Sequence, residues 1–174
     1  MTDLIPIAET SAAGPAMGMQ IALVMALATL LIWAAICDFR HLQIPNWIPI
    51  GIAVTWLGWL AVAPVDPAIS ILVAVATFAV GTALFSFKFL GGGDVKLISA
   101  VALWAGGPQV LTLIFQIALA GGVLAFLWIL AGRVRMALAY YGMPVNLDAP
   151  ATKIPYGIAI AAGGLLLAAR LVGV

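Results

Sequence analysis

The sequence predicts an all-α polytopic membrane protein, a bundle of about six transmembrane helices. Hydrophobic residues make up 66% of its 174 residues and charged residues only 7%, whereas about a quarter of the residues in a soluble domain are charged. Apolar runs approaching the length of about 20 residues that crosses a bilayer recur along the chain. The basic residues also fall on one side of these runs, as is typical of inner-membrane proteins.

Six apolar runs are the predicted membrane helices, and polar, glycine or proline residues separate them. Residues 1–18 are rich in Ala, Gly, Pro, Ser and Thr and are predicted to form an N-terminal tail, while 19–174 form one membrane-embedded domain. The fourth run is only about half a span long, because Gly106, Gly107 and Pro108 end it. The runs are Met19–Cys37, Trp47–Ala63, Ala68–Phe87, Val95–Ala105, Gln109–Ala131 and Ile154–Val172.

The basic residues set the predicted orientation. If the N-terminus is outside, every Lys and Arg except Arg170 lies in or beside the inside connections 38–46, 88–94 and 132–153. The positive-inside rule therefore predicts both termini on the outer side of the membrane. Since no Lys or Arg precedes Arg40, the first run lacks the basic start of a cleavable signal peptide and is predicted to be retained.

Charge and cysteine content exclude some functions. The formal net charge of +1 provides no basic surface for nucleic acid. Cys37 is the single cysteine, so the chain can form neither an internal disulfide nor a cysteine-rich metal site. We expect no metal and no cofactor, and we expect membrane lipids around the helices. The oligomeric state is left open.

Two aspartates are the candidate chemical groups. Asp38 directly follows the first apolar run, and Asp94 directly precedes the fourth. On the predicted topology both lie at inner helix ends, at about the same depth, so that two carboxyl groups from different helices can meet. Ionisable residues at the edge of a membrane span are costly, which makes them candidates for function.

Each candidate residue also has an ordinary structural interpretation. Asp38 is equally suited to a solvated helix end paired with Arg40, and Asp94 to an N-cap that favours the helix dipole. Lys96 satisfies the positive-inside rule without any further role. Asn46 is suited to capping the second helix as well as to binding a substrate. The shared depth of the two acids and their sequence context favour the functional interpretation.

That context is a pair of motifs. Residues 91–96 contain Gly-x-Gly-Asp-x-Lys, and Asp38 precedes Ile44-Pro45-Asn46. Together with Pro155-Tyr156-Gly157 at the start of the last run, these motifs resemble those of the prepilin peptidases, which are type IV prepilin leader peptidases of the GxGD aspartyl protease group. The resemblance covers about residues 20–172. It implies that Asp38 and Asp94 are catalytic, and that the substrate-binding residues are Gly91, Gly93, Lys96, Pro45 and Asn46.

The resemblance also implies a substrate and a location. The substrate would be a prepilin, with a short basic leader, a Gly at the cut site and then an apolar membrane helix, cleaved at the cytoplasmic face of a bacterial inner membrane. Larger members of the family carry a cytoplasmic domain with paired cysteines, for which this chain has no room. It is more similar to the short, peptidase-only form of Flp or tight-adherence pili, and neither methyltransferase activity nor a structural zinc is expected.

Two aspartates can hydrolyse a peptide if one is ionised and the other protonated. The ionised group takes a proton from water, and the protonated group donates to the developing oxyanion and then to the leaving amine. The residues alone leave two other functions open: a small proton-coupled transporter with the acids as a relay, and a non-catalytic membrane assembly subunit. Transporter sites usually lie at the midplane between repeats, and the sequence shows no clear repeat.

Overall fold

A computed structural model of the chain describes residues 8–143 and 154–173, with side chains from residue 16 onward. Within these residues the fold is entirely α-helical, which confirms the predicted fold class. The described helices are α1 Ala8–His41, α2 Trp47–Trp59, α3 Pro67–Ser86, α4 Gly92–Tyr140 and α5 Tyr156–Leu171.

The helices are those of a membrane protein. In the described part of the chain, three are long and apolar enough to cross a bilayer, Ala16–His41, Pro67–Ser86 and Gly92–Tyr140, and α2 and α5 are shorter apolar helices. Large apolar side chains are exposed on the outer surface, such as Leu72 at 68% and Leu111 at 79%. An exposed apolar surface of this extent marks contact with a membrane or with another protein, and the helix lengths favour a membrane. That lipid surrounds the helices stays a prediction.

Five helices are described where about six were predicted, because the fourth and fifth runs join directly at Gly106 with no loop between them. α4 has 49 residues and is interrupted only at Gly106, whose φ of 54° and ψ of −166° are not helical. Pro108 follows, and a proline in a helix removes a backbone donor and causes a kink. The break predicted at 106–108 is present, as a reversal at Gly106 between two helical parts of α4.

The bend returns the chain to the side from which α4 started. Near the bend, a Cβ built on Gly107 would lie 2.9 Å from the Ile69 side chain, at the start of α3. Further along, Gly121 lies against Tyr156, at the start of α5, where α5 also meets the end of α1. We refer to residues 92–105 as α4a and residues 107–140 as α4b.

The inside connection predicted at 132–153 was also partly wrong. Residues 132–140 continue α4b as helix, because Ala, Leu, Met and Arg in this stretch are all good helix formers. Positions 144–153 of the predicted connection lie outside the described residues. The predicted N-terminal tail, 1–18, overlaps α1, which begins at Ala8.

The core lies where α1, α2, α4a and α5 meet. Leu31, Ile52, Val101 and Ile160 are almost completely buried there. At the end of the bundle near the α2–α3 turn, the rings of Trp59 and Trp104 pack with centroids 5.3 Å apart, and the Trp104 indole N–H donates to the Ile52 carbonyl at 3.1 Å.

The last helix packs closely through glycine. A Cβ built on Gly163 would lie 2.6 Å from the Ile117 side chain of α4b, and one on Gly164 would lie 2.7 Å from the Leu31 side chain of α1. Small residues of this kind let helices approach closely in a membrane. α5 is therefore held between α1 and α4b, and this packing fixes the position of its N-terminus.

Candidate functional site

Asp38 lies in the last turns of α1 and points towards the N-terminus of α5. Its side chain is only 6% exposed, and its Oδ2 accepts a hydrogen bond of 2.6 Å from the Gly157 backbone N–H. The first N–H groups of a helix have no partner within the helix and carry partial positive charge. The Asp38 carboxyl group therefore supplies a partner for the start of α5, and α5 in return fixes the carboxyl group.

Gly157 leaves just enough room for this contact. A Cβ built on it would lie 2.8 Å from both Cβ and Oδ2 of Asp38. Real Cβ atoms do not approach other atoms so closely, so any side chain at this position would displace Asp38. The Gly of the Pro155-Tyr156-Gly157 segment is thus explained by the close approach of α1.

Asp94 is held by the start of its own helix. It is the third residue of α4, it is 8% exposed, and its Oδ2 accepts a hydrogen bond of 3.0 Å from the Gly91 N–H. A Cβ on Gly91 would lie 2.8 Å from that oxygen. The spacing in the Gly-x-Gly-Asp motif is therefore the spacing of a helix cap, in which the third residue reaches back to the residue before the helix.

Both carboxyl groups open into one polar cavity of about 340 Å³. The cavity lies between the end of α1, the following connection and the start of α4, and its lining consists of Asp38, Leu42, Gln43, Ile44, Asn46, Gly91, Gly92, Gly93, Asp94 and Lys96. The structure thus brings together the two predicted aspartates with Asn46, Gly91, Gly93 and Lys96.

Lys96 and Asn46 join two helix starts across the cavity. The Lys96 ammonium group donates to Asn46 Oδ1 at 2.9 Å, which links α4 to the residue before α2. Pro45 is the predicted site residue that does not line the cavity. Its carbonyl accepts from the Ile48 N–H at 3.1 Å, so its observed contact is in the turn that starts α2.

The sequence interpretation missed several parts of the site. Leu42, Gln43 and Ile44 line the cavity because Leu42 adopts a left-handed backbone conformation, with φ of 52°, directly after α1. Leucine seldom adopts this conformation, so no residue type indicated it. The Pro155-Tyr156-Gly157 motif did not indicate that the Gly157 N–H bonds to Asp38, because this contact depends on how α1 and α5 pack.

The described residues contain no group of three or more His, Cys, Asp or Glu side chains placed to hold a metal ion. The side chains with oxygen atoms in the cavity lining are those of Asp38, Asp94, Gln43 and Asn46. The expectation that the protein needs no metal or cofactor stays a prediction.

The fold and the site define a helical membrane protein in which two buried aspartates, fixed at helix ends, share one polar cavity. The family model of the type IV leader peptidases matches residues 25–126, which is more than half of the chain. The chain belongs to the type IV leader peptidase family, and the resemblance seen in the motifs is confirmed at the level of the family. Searches of curated proteins and of solved structures gave no significant match.

The matched range contains both aspartates and ends within α4b, before α5. The family makes this protein a membrane peptidase that acts on a pilin-type substrate. Gly157, which holds Asp38, lies beyond the matched range, so its contribution to the site comes from the structure.

Proposed function

We propose that this protein is an aspartyl endopeptidase that removes the short basic leader of a prepilin at the cytoplasmic face of the bacterial inner membrane. The observation that carries this proposal is the pair of buried carboxyl groups, Asp38 and Asp94, which open into the same polar cavity. Each is fixed by a backbone N–H to its Oδ2. Two acids held rigidly in one cavity are what hydrolysis by activated water requires.

The first step is attack by water. Two carboxyl groups close together are not both ionised without a large electrostatic cost, so the pair holds one proton between them. The ionised member removes a proton from a water molecule in the cavity, and the resulting nucleophile attacks the scissile carbonyl carbon. The protonated member donates its proton to the carbonyl oxygen, which gives a neutral tetrahedral intermediate.

The second step breaks the peptide bond. The carboxyl group that received the water proton now donates it to the leaving nitrogen, and the C–N bond breaks. The other carboxylate takes back a proton from the intermediate as the new carboxylic acid forms, so the pair returns to one shared proton. The leader is released with a new C-terminus and the mature pilin with a new N-terminal amine.

The start of α4 provides further groups for the substrate. The N–H groups of Gly92 and Gly93 lie in the first turn, where a helix has no internal acceptor for them, and both residues line the cavity. We propose that they donate to carbonyl oxygens of the extended substrate near the cut site. We propose that Lys96, through its bond to Asn46, holds the start of α4 against the start of α2, and that Pro45 sets the turn beside the cavity.

The first prediction tests the two acids. Asp38→Asn and Asp94→Asn should each reduce processing of a co-expressed prepilin by about 10³-fold or more, since Asn keeps the shape but neither accepts nor gives the catalytic proton. Processing is measured as the loss of the leader on a gel, with amounts of each variant in the membrane matched.

Asp66→Asn is the matched control. Asp66 is exposed and caps α3, where its Oδ1 accepts from the Ala68 N–H at 2.9 Å, and Asn caps helices equally well. This variant should process at the wild-type rate. Wild-type processing by Asp38→Asn and Asp94→Asn would disprove the two-aspartate mechanism and favour a non-catalytic role for the acids.

A further inference from the structure

An apolar groove runs between α3 and α4b, beside the two aspartates. It has a volume of about 550 Å³, and its walls include Val80, Leu84, Val95, Ile98, Ile114 and Gly122. We call it the lateral groove. No charged side chain lines it, so it is suited to an apolar occupant within the membrane.

One end of the lateral groove lies next to residues that form the cavity with the aspartates. Three of its lining residues are sequence neighbours of the groups that form the site: Val95 follows Asp94, Leu90 precedes Gly91, and Tyr156 precedes Gly157. From there the groove extends along α4b towards Val110 and the bend. An apolar helix lying in it would therefore have one end beside the two carboxyl groups.

One position shows that the groove has room for an added side chain. A Cβ built on Gly122 would have no atom within 4 Å, although Gly122 lines the groove. Gly121, its neighbour, is instead packed against Tyr156 and Ala159 of α5. Adjacent glycines on α4b thus serve two purposes: one brings α5 close, and the other leaves the groove open.

A second groove, between α1 and α5, provides a comparison. It has about the same volume, about 560 Å³, and is lined by Ile36, Phe39, Ile158 and Ala162, but Arg40 lies at its edge. A groove with a cation at its interfacial end suits a lipid with an anionic headgroup. No cation lines the lateral groove, so its lining offers no partner for an anionic headgroup.

We propose that the lateral groove binds the apolar helix of the substrate and so places the peptide bond before that helix at Asp38 and Asp94. This inference rests on the proposed function, because it assumes a substrate with an apolar helix directly after the cut site. Binding energy from a part of the substrate that does not react is then used to position the scissile bond.

The test compares Gly122→Phe with Gly132→Phe. Both glycines lie in α4b, and a Cβ on either has no atom within 4 Å, but only Gly122 lines the groove. Two substrates are used: a full prepilin, and a peptide that contains the leader and the cut site but ends before the apolar helix. Gly122→Phe should lower prepilin processing by about tenfold or more and leave peptide cleavage unchanged. Gly132→Phe should match the wild type on both.

Other outcomes overturn the inference in distinguishable ways. Prepilin processing at the wild-type rate by Gly122→Phe would show that the groove does not bind the substrate, and loss of a bound phospholipid from the same variant would make it a lipid site. An equal loss on both substrates would mean that the substitution disturbs the aspartates. If the wild type cleaves neither substrate, the proposed function fails and this inference with it.

If the wild type cleaves the prepilin but not the peptide, cross-linking tests whether the substrate helix lies in the lateral groove. Cys37 is the only cysteine, so Cys37→Ser in an Asp94→Asn background gives a cysteine-free protein that binds without cleaving. Gly122→Cys in this background should cross-link to a cysteine in the apolar helix of the prepilin. Ala162→Cys, in the second groove, should not. The opposite pattern would place the substrate between α1 and α5 and overturn the proposal.

Discussion

The position of Asp38 depends on a residue that contributes no side chain. Gly157 offers its N–H at 2.6 Å from Asp38 Oδ2, and its lack of a Cβ lets α1 approach. Asp94 is fixed in a similar way by Gly91, but within its own helix. Because backbone amides move less than side chains, both carboxyl groups are held in place by these contacts. In the proposed mechanism this lowers the cost of reaching the reactive geometry.

Gly157→Ala should therefore reduce activity while the acids are both still present. The added Cβ must push the Asp38 carboxyl group aside, and a displacement of about 1 Å can cost about 10²-fold in rate. We expect prepilin processing to fall by about 10- to 100-fold, measured with enzyme purified in detergent. The loss should appear mainly in kcat, because the groups that bind the substrate are unchanged.

Gly132→Ala is the control for the effect of the substitution itself. A Cβ there has open space, and alanine in place of a helical glycine stabilises by about 0.5–1 kcal/mol. This variant should keep its activity and melt at the same or a slightly higher temperature. If Gly157→Ala also kept its full activity, the contact between α5 and Asp38 would have no role in catalysis.

At the scale of the helices, the apolar runs predicted the position of α3 closely. The run 68–87 is helix from Pro67, and the structure adds the Asp66 side chain as its cap. Gly106 and Pro108 correctly indicated an interruption, but residue types did not indicate whether the two helical parts remain one element. That depends on the packing of α4a and α4b against α3 and α5.

Gly163→Ala tests the packing of α5 against α4b. The built Cβ lies 2.6 Å from the Ile117 side chain and 3.2 Å from its backbone nitrogen, so the helices must separate slightly. Overpacking of this kind costs about 1–3 kcal/mol. We expect a lower melting temperature in detergent, while Gly18→Ala, where a Cβ on α1 meets nothing within 4 Å, should melt at the same or a slightly higher temperature than the wild type. An unchanged melting temperature for Gly163→Ala would mean that α5 is not held by this contact.

At the scale of the whole molecule, composition and motifs predicted most of the result. The excess of apolar residues predicted the membrane fold, and the Gly-x-Gly-Asp motif predicted the family and one wall of the cavity. The remaining parts needed tertiary structure: the left-handed backbone of Leu42, the capping of α5 by Asp38, and the return of α4b. Each arises from contacts between segments far apart in the chain, which residue-by-residue patterns do not contain.

The orientation in the membrane gives the last prediction. A straight helix of 49 residues would be about 73 Å long, more than twice the thickness of the hydrocarbon core. The bend at Gly106 instead returns α4b, so that Tyr141 lies on the same side of the membrane as Gln43. If the inside is basic, as the positive-inside rule predicts, this is the cytoplasmic side, and the exposed Pro64 between α2 and α3 is on the periplasmic side.

Single cysteines test this arrangement in a Cys37→Ser background. In spheroplasts, a membrane-impermeant maleimide should label Pro64→Cys directly, but should label Gln43→Cys and Tyr141→Cys only after the membrane is opened. Labelling of Tyr141→Cys together with Pro64→Cys would show that α4 crosses without returning. Labelling of both Gln43→Cys and Tyr141→Cys from outside, with Pro64→Cys protected, would keep the fold but invert the protein. In that case the aspartates would face the periplasm, where a leader that stays in the cytoplasm does not reach them, and the proposed function would fail with the orientation.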